Sequence, residues 1–217
     1  MAALERIGEL GVVPVVEIDG AGVAPELGAA LAGAGLPAVE LTFRTDAAAA
    51  ALTALRRAEP EMTLVAGTVT SVARAETALA AGADLLVAPG LNAAVVEYAL
   101  SEGAAIMPGV ATPSEVEAAS DLGLGTVKVF PAAQLGGPAY LKALGGPFAW
   151  MRWSPSGGVS AENLGSYLAL DSVLACGGSW IAPRAEIAAR QFAAIGERAA
   201  AALSLVRSLR GAAGGAR

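Results

Sequence analysis

Thr126-Val127-Lys128-Val129-Phe130-Pro131 is a β-branched and aromatic run that ends at a proline. In a strand its residues alternate, so Val127 and Val129 share one side while Thr126, Lys128 and Phe130 share the other. An ammonium group placed among apolar side chains loses hydration that nothing nearby replaces. Such a lysine pairs with a carboxylate, snorkels to the surface, or serves as a nucleophilic amine. The chain holds one other lysine, Lys142, in Ala139-Tyr140-Leu141-Lys142-Ala143-Leu144, which reads as an ordinary exposed helix residue.

Working outward, short apolar runs of the same kind recur along the chain. Strands are expected at Val12–Ile18, Ala38–Phe43, Thr63–Val69, Leu85–Ala88, Ala104–Met107, Thr126–Phe130, Met151–Ser154 and Ser172–Cys176. Alanine-rich stretches between them read as helices, the last a long one at Ala185–Leu209. Asp46, Ser71, Asn92, Thr112 and Ser160 each precede a helical run, where a side-chain oxygen can cap free amides. Thr112-Pro113-Ser114-Glu115 has capping-box spacing with proline at the first helical position. Gly35, Gly82, Gly103 and Gly123 stand where helices should end. Strands that each lead into a helix predict an α/β protein with a parallel sheet. At 217 residues, this points to a single-domain (β/α)₈ TIM barrel over residues 1–210, followed by a flexible tail at 211–217, with an open doubly wound sheet as the structural alternative. Gly33-Ala34-Gly35-Leu36-Pro37-Ala38 matches dinucleotide-binding spacing but follows a helix and enters a strand, the reverse of what a pyrophosphate needs.

Composition narrows the chemistry. Hydrophobic residues are 55% of the chain and charged residues 16%, which suits strands buried on both faces. A net charge of −6 and the lack of any basic run argue against a nucleic-acid partner. No apolar run reaches membrane-spanning length, and the start lacks a signal-peptide pattern. The one cysteine, Cys176, fits a reducing, cytoplasmic setting. The chain has no histidine, so a Ser-His-Asp or Cys-His mechanism is excluded and histidine metal sites cannot form. No closely spaced acidic set suggests a metal either. Acid–base work at neutral pH falls to Glu, Asp, Lys, Tyr, Cys or water.

Polar residues inside strands mark the candidate site. In Val39-Glu40-Leu41-Thr42-Phe43-Arg44 the apolar set takes the odd positions, so Glu40, Thr42 and Arg44 share the opposite face. If the valines beside Lys128 face helices, an amine, a carboxylate and a guanidinium converge near the C-terminal rim of the barrel. The plainer alternative is a solvated strand face and a structural ion pair. Two glycine clusters bear on that choice. Ser154-Pro155-Ser156-Gly157-Gly158 follows the seventh strand and Cys176-Gly177-Gly178-Ser179 the eighth, where barrels often bind phosphate through backbone amides. Trp180 reads as packing.

Taken in order, Val39-Glu40-Leu41-Thr42-Phe43-Arg44-Thr45, Ala66-Gly67-Thr68-Val69, Met107-Pro108-Gly109-Val110-Ala111-Thr112, Val127-Lys128-Val129-Phe130-Pro131, Pro155-Ser156-Gly157-Gly158 and Gly177-Gly178-Ser179-Trp180 closely resemble 2-keto-3-deoxy-6-phosphogluconate (KDPG) aldolase and 4-hydroxy-2-oxoglutarate aldolase. The former is a class I aldolase of the Entner–Doudoroff pathway. The resemblance runs from about Val12 to Pro183. It implies Lys128 as the Schiff-base lysine and Glu40 as the acid–base carboxylate, acting partly through water. It further implies Arg44 and Thr68 as holders of the pyruvate carboxylate, Phe130 as an aromatic beside the lysine, and Pro89 as a pocket-lining residue. Gly157, Gly158 and Ser179 match phosphate-binding positions, with Ser156 alongside where the family often has threonine. The implied protein uses no metal or organic cofactor, takes a phosphorylated keto-sugar acid and pyruvate, and forms a homotrimer.

The resemblance implies cleavage of 2-dehydro-3-deoxy-6-phosphogluconate to pyruvate and glyceraldehyde 3-phosphate, with 4-hydroxy-2-oxoglutarate as a further substrate. The related 6-phosphogalactonate enzymes tend to lack the second-strand arginine and carry an apolar residue before the glycine pair, so Arg44 and Ser156 favour the gluconate. The other readings are a phosphosugar isomerase or epimerase using Glu40, and a catalytically silent phosphate-binding barrel.

Overall fold

The computed structural model of the chain describes residues 2–214. Nine strand segments run β1 (Val12–Val16), β2 (Ala38–Thr42), β3 (Thr63–Gly67), β4 (Leu85–Val87), β5 (Ala105–Met107), β6 (Gly109–Val110), β7 (Thr126–Val129), β8 (Arg152–Pro155) and β9 (Cys176–Gly178). Around them lie α1 (Ala2–Leu10), α2 (Ala24–Gly33), α3 (Ala48–Ala58), α4 (Val72–Ala80), α5 (Ala93–Ser101), α6 (Pro113–Asp121), α7 (Gly137–Gly145), α8 (Leu164–Leu168), α9 (Arg184–Ala188) and α10 (Phe192–Gly214).

Among the described residues neighbouring strands pair in parallel, as alternation with helices requires. The strands form a six-stranded sheet ordered β5-β4-β3-β2-β1-β9 and a three-stranded sheet ordered β6-β7-β8. The expected fifth strand, Ala104–Met107, is found as β5; beyond Pro108, which cannot donate to a ladder, an unexpected short β6 follows, and the Pro108 carbonyl accepts from the Lys128 amide at 2.9 Å. At the other seam, isolated parallel bridges join Trp153 to Val173 and Ser156 to Gly177.

The alternation read from sequence sorts the core into two layers. Val39, Leu41, Leu64, Leu86, Val127, Val129 and Trp153 pack against helix residues such as Leu27, Leu31, Leu52, Val96 and Ile195. The opposite parity supplies a smaller cluster of Val13, Val65, Leu85, Val87 and Met107, joined by Ala3 and Ile7 of α1. Helix α1, which the strand-and-helix pattern does not anticipate, therefore stops one end of the sheet's inner face with Ile7, 1% exposed.

Local chemistry explains the boundaries. Ser71, Asn92 and Thr112 cap α4, α5 and α6, the last with a complete capping box. Gly35, Gly82, Gly103 and Gly123 all have positive φ at helix ends. Asp46 and Ser160 do not cap: the N-cap residues are Ala47 and Asn163, and the Ser160 amide instead donates to Asn163 Oδ1 at 2.9 Å. The expected last strand, Ser172–Cys176, is shifted to Cys176–Gly178, with Val173 contributing only a bridge. The expected Ala185–Leu209 helix breaks into α9 and α10 at Arg190, whose φ is 55°. Helix α10 continues through Gly214, so residues 211–214 of the expected tail are helical; 215–217 lie outside the described residues.

Candidate active site

Parallel strands bring their C-terminal ends to one edge, and the candidate residues lie at or just beyond those ends. Glu40 is on β2 and Lys128 on β7, each with an apolar residue on either side in sequence that faces the helices. Arg44 follows β2, Thr68 β3, Pro89 β4, Phe130 β7, Ser156 to Gly158 β8, and Ser179 β9. All ten expected residues line one cavity of about 140 Å³.

On its floor the Lys128 Nζ donates to Glu40 Oε1 at 3.1 Å, with side-chain exposures of 8% and 6%. The amine also lies 5.5 Å from the centroid of the Phe130 ring. An ion pair so enclosed is barely screened by solvent, and removing one partner leaves the other charge uncompensated. The glycine of β3 makes room for it. A Cβ on Gly67 would stand 2.4 Å from Glu40 Oε1, so the carboxylate occupies the space a side chain would take.

Directly after Gly67, Thr68 has φ 60°, a left-handed conformation that a β-branched residue adopts only when its surroundings enforce it. Pro89 is held by a close approach of another kind: a Cβ on Gly109 would lie 2.2 Å from the Pro89 carbonyl oxygen. The peptide bond between Phe130 and Pro131 is cis.

The Ser156–Gly158 loop is tied to the segment after β7. The amides of Ala132 and Ala133 donate to the carbonyls of Ser156 and Gly157 at 2.8 and 3.0 Å. Gly157 and Gly158 have φ of 89° and 80°, and a Cβ on Gly158 would stand 2.4 Å from the Ala133 Cβ. Glycine is thus required for this loop to lie flat on its neighbour. Trp180 packs over Gly178, where a Cβ would meet the indole ring at 2.1 Å, in keeping with a packing role.

Arg44, expected on the Glu40 face, lies beyond the end of β2 and is only partly enclosed. Its side chain is 53% exposed, and its ion pair with Glu17 is long, 3.7 Å from Nη1 to Oε2. The cavity also takes in Val15, Thr42, Val159 and Gly177. Val15 is opposite Glu40 in the β1–β2 register, and the alternation of β1 could have identified it. Thr42 was visible on the Glu40 face, but its hydroxyl is engaged by the Val16 carbonyl at 3.0 Å. Lys142 is exposed on α7, as expected. Among the described residues no group of three or more Cys, Asp or Glu side chains is placed to hold a metal ion. No helix among the described residues is long and apolar enough to cross a membrane.

A family model described as "KDPG and KHG aldolase" matches residues 4–198. The chain is 44% identical over 193 residues to the 2-dehydro-3-deoxy-phosphogluconate aldolase of Treponema pallidum, covering 89% of this chain and 90% of the relative. Among solved structures, the KDPG aldolase of Legionella pneumophila with pyruvate captured as a covalent carbinolamine superposes with a TM-score of 0.88 at 33% identity, covering 93% of this chain and 96% of that one. The Zymomonas mobilis enzyme with 3-phosphoglycerate gives a TM-score of 0.83 at 33% identity over 91% and 95% of the two chains.

Proposed function

The chain belongs to the KDPG and KHG aldolase family, and we propose that Lys128 is the amine through which it works. The protein is a carbon–carbon lyase, a class I aldolase that cleaves 2-dehydro-3-deoxy-6-phosphogluconate to pyruvate and glyceraldehyde 3-phosphate. The observation that carries the assignment is the buried 3.1 Å contact between Lys128 and Glu40 on the floor of a cavity open to a small keto acid.

A proton passed from Nζ to Glu40 leaves a neutral amine that attacks the C2 ketone. Glu40 then returns protons through the carbinolamine and its loss of water. The cationic imine accepts the electron pair of the C3–C4 bond once the C4 hydroxyl proton goes to Glu40, directly or through water. Glyceraldehyde 3-phosphate departs, the enamine is protonated at C3, and hydrolysis frees pyruvate and the lysine. Arg44 and Thr68 hold the C1 carboxylate, and Phe130 and Pro89 wall the reacting carbons. The Ser156-Gly157-Gly158 loop and Ser179 take the distal phosphate, so remote binding energy orients the scissile bond. The covalent pyruvate carbinolamine of the Legionella enzyme supports this course.

The same reading joins the two sheets into one closed (β/α)₈ barrel within a single domain, 1–210, supported by the Pro108 junction and the β8–β9 bridges. It gives 4-hydroxy-2-oxoglutarate as a second substrate, a homotrimeric assembly and a cytoplasmic location, with no metal or organic cofactor. Arg44 and Ser156 favour the gluconate over the galactonate isomer.

Borohydride reduction in the presence of pyruvate, followed by peptide mapping, tests the assignment. A stable adduct at Lys128 is expected; an adduct confined to Lys142 overturns it. Parallel cleavage assays with the gluconate, the galactonate and unphosphorylated 4-hydroxy-2-oxoglutarate test the substrate range, and sedimentation tests the trimer.

A further inference from the structure

A second cavity adjoins the active site and shares Val15, Thr42, Arg44 and Ser179 with it. Glu17, Arg44 and Arg184 line it, and Asp19 joins them through Arg184, so that charges of alternating sign follow one another. Asp19 accepts bidentately from one edge of the Arg184 guanidinium, Nε to Oδ2 at 2.9 Å and Nη2 to Oδ1. The Arg184 Nη1 donates to Glu17 Oε1, and Glu17 Oε2 faces Arg44 Nη1 at 3.7 Å. That last gap exceeds a hydrogen bond, although Arg44 is half exposed and has freedom to close it. Glu17 is thus held on one side by a strong partner and touches Arg44 only loosely on the other. Arg184 also holds the Asp19 carboxyl below the usual carboxylate range.

An unneutralised carboxylate at this place would do two things to an incoming keto acid. It would occupy the Arg44 fork in the substrate's stead, and it would repel the substrate carboxylate. Resting on the assignment of Arg44 to that carboxylate, we propose that Arg184 is a positioning residue. It holds and neutralises Glu17, so that Arg44 stays available to the substrate.

The test is steady-state cleavage of the phosphorylated keto acid by the full chain and its variants. Arg184→Ala should raise KM roughly three- to fivefold, the range of a partly exposed charge pair, with kcat unchanged. Arg184→Lys should keep KM near the parent value, and Glu17→Gln combined with Arg184→Ala should restore it. Added salt should narrow the gap between Arg184→Ala and the parent. A purely structural role would lower kcat or thermal stability and would not be rescued by Glu17→Gln. Unchanged KM in Arg184→Ala, or a raised KM that persists in the double variant, overturns the proposal. Pyruvate trapping at Lys128 in the parent separates the two levels. If trapping succeeds while these variants fail, only the role of Arg184 is lost; if trapping fails, the active-site assignment itself is lost.

Discussion

Lys128 and Glu40 are 88 residues apart in the chain, yet the fold brings Nζ within 3.1 Å of Oε1 with both side chains nearly sealed from solvent. A buried ion pair of this kind is weak evidence for stability, because desolvation offsets much of the attraction. It is better evidence for chemistry, since it supplies an amine and its proton acceptor in one contact.

Lys128→Met should therefore abolish both cleavage and the borohydride adduct, while Lys142→Ala keeps both. Glu40→Gln should retain a slow adduct but lose at least about a hundredfold in kcat, the usual scale of a positioned acid–base group. Equal adduct formation and turnover in Glu40→Gln and the parent would remove Glu40 from the mechanism. Circular dichroism melts of each variant separate lost chemistry from lost folding, which matters because an uncompensated partner can cost about 3–5 kcal/mol.

Arg44→Ala should weaken pyruvate binding by about 1–2 kcal/mol, read from the pyruvate concentration that half-saturates trapping. A fully enclosed charged pair would contribute more. Arg44 lies beyond the end of β2 and is half exposed, so water screens part of its attraction. Unchanged half-saturation would dismiss it as a carboxylate ligand.

Much of this site was legible because barrel-like parity leaves few options. Glu40 and Lys128 interrupt apolar runs at positions whose neighbours must face helices, and the structure puts them on the inner side. The rim was less legible. Glu17 falls in the expected strand Val12–Ile18 but lies just beyond the observed β1, and Arg184, 167 residues away, opens α9, so no strand periodicity pairs them. The break before α10 was hidden for another reason. Ala189-Arg190-Gln191 carries neither glycine nor proline, and Arg190 adopts its positive φ without the residue that usually signals it. Helix α1 escaped because its purpose, covering Val13 and Val65, exists only once distant strands have assembled.

The buried thiol gives a pH test independent of catalysis. Burial pushes Cys176 from 9.0 up to about 12, opposed by the positive field of Arg210. The raised value means the folded state favours the neutral thiol. Its stabilising contribution is complete below pH 9 and is lost as pH rises from there toward 12. Near pH 10.5 the loss should reach about 2 kcal/mol relative to neutral pH, at about 1.36 kcal/mol per pH unit. Urea denaturation of the parent and of Cys176→Ala at several pH values checks this. The variant should show the shallower alkaline decline, and parallel curves would show that the thiol does not ionise on unfolding.

Gly67→Ala probes how tightly the Glu40 carboxylate is packed. The added methyl carbon would lie 2.4 Å from Oε1, 2.9 Å from Cγ and 3.0 Å from Cδ of Glu40, closer than real contacts allow. Because Glu40 is walled by β1 and β3 and bonded to Lys128, it can yield only by breaking the 3.1 Å contact. The backbone of Gly67 is regular strand, so alanine introduces no conformational strain of its own. The expected result is a fall in kcat of at least about tenfold, together with about 1–3 kcal/mol of overpacking destabilisation. A companion Gly67→Ala/Glu40→Asp variant shortens the carboxylate and removes the clash. It should recover most of the stability lost, because the deleted methylene vacates the space that the methyl group needs. If the double variant melts no higher than Gly67→Ala, the crowding lies elsewhere and Glu40 is not held in place by the missing side chain of residue 67.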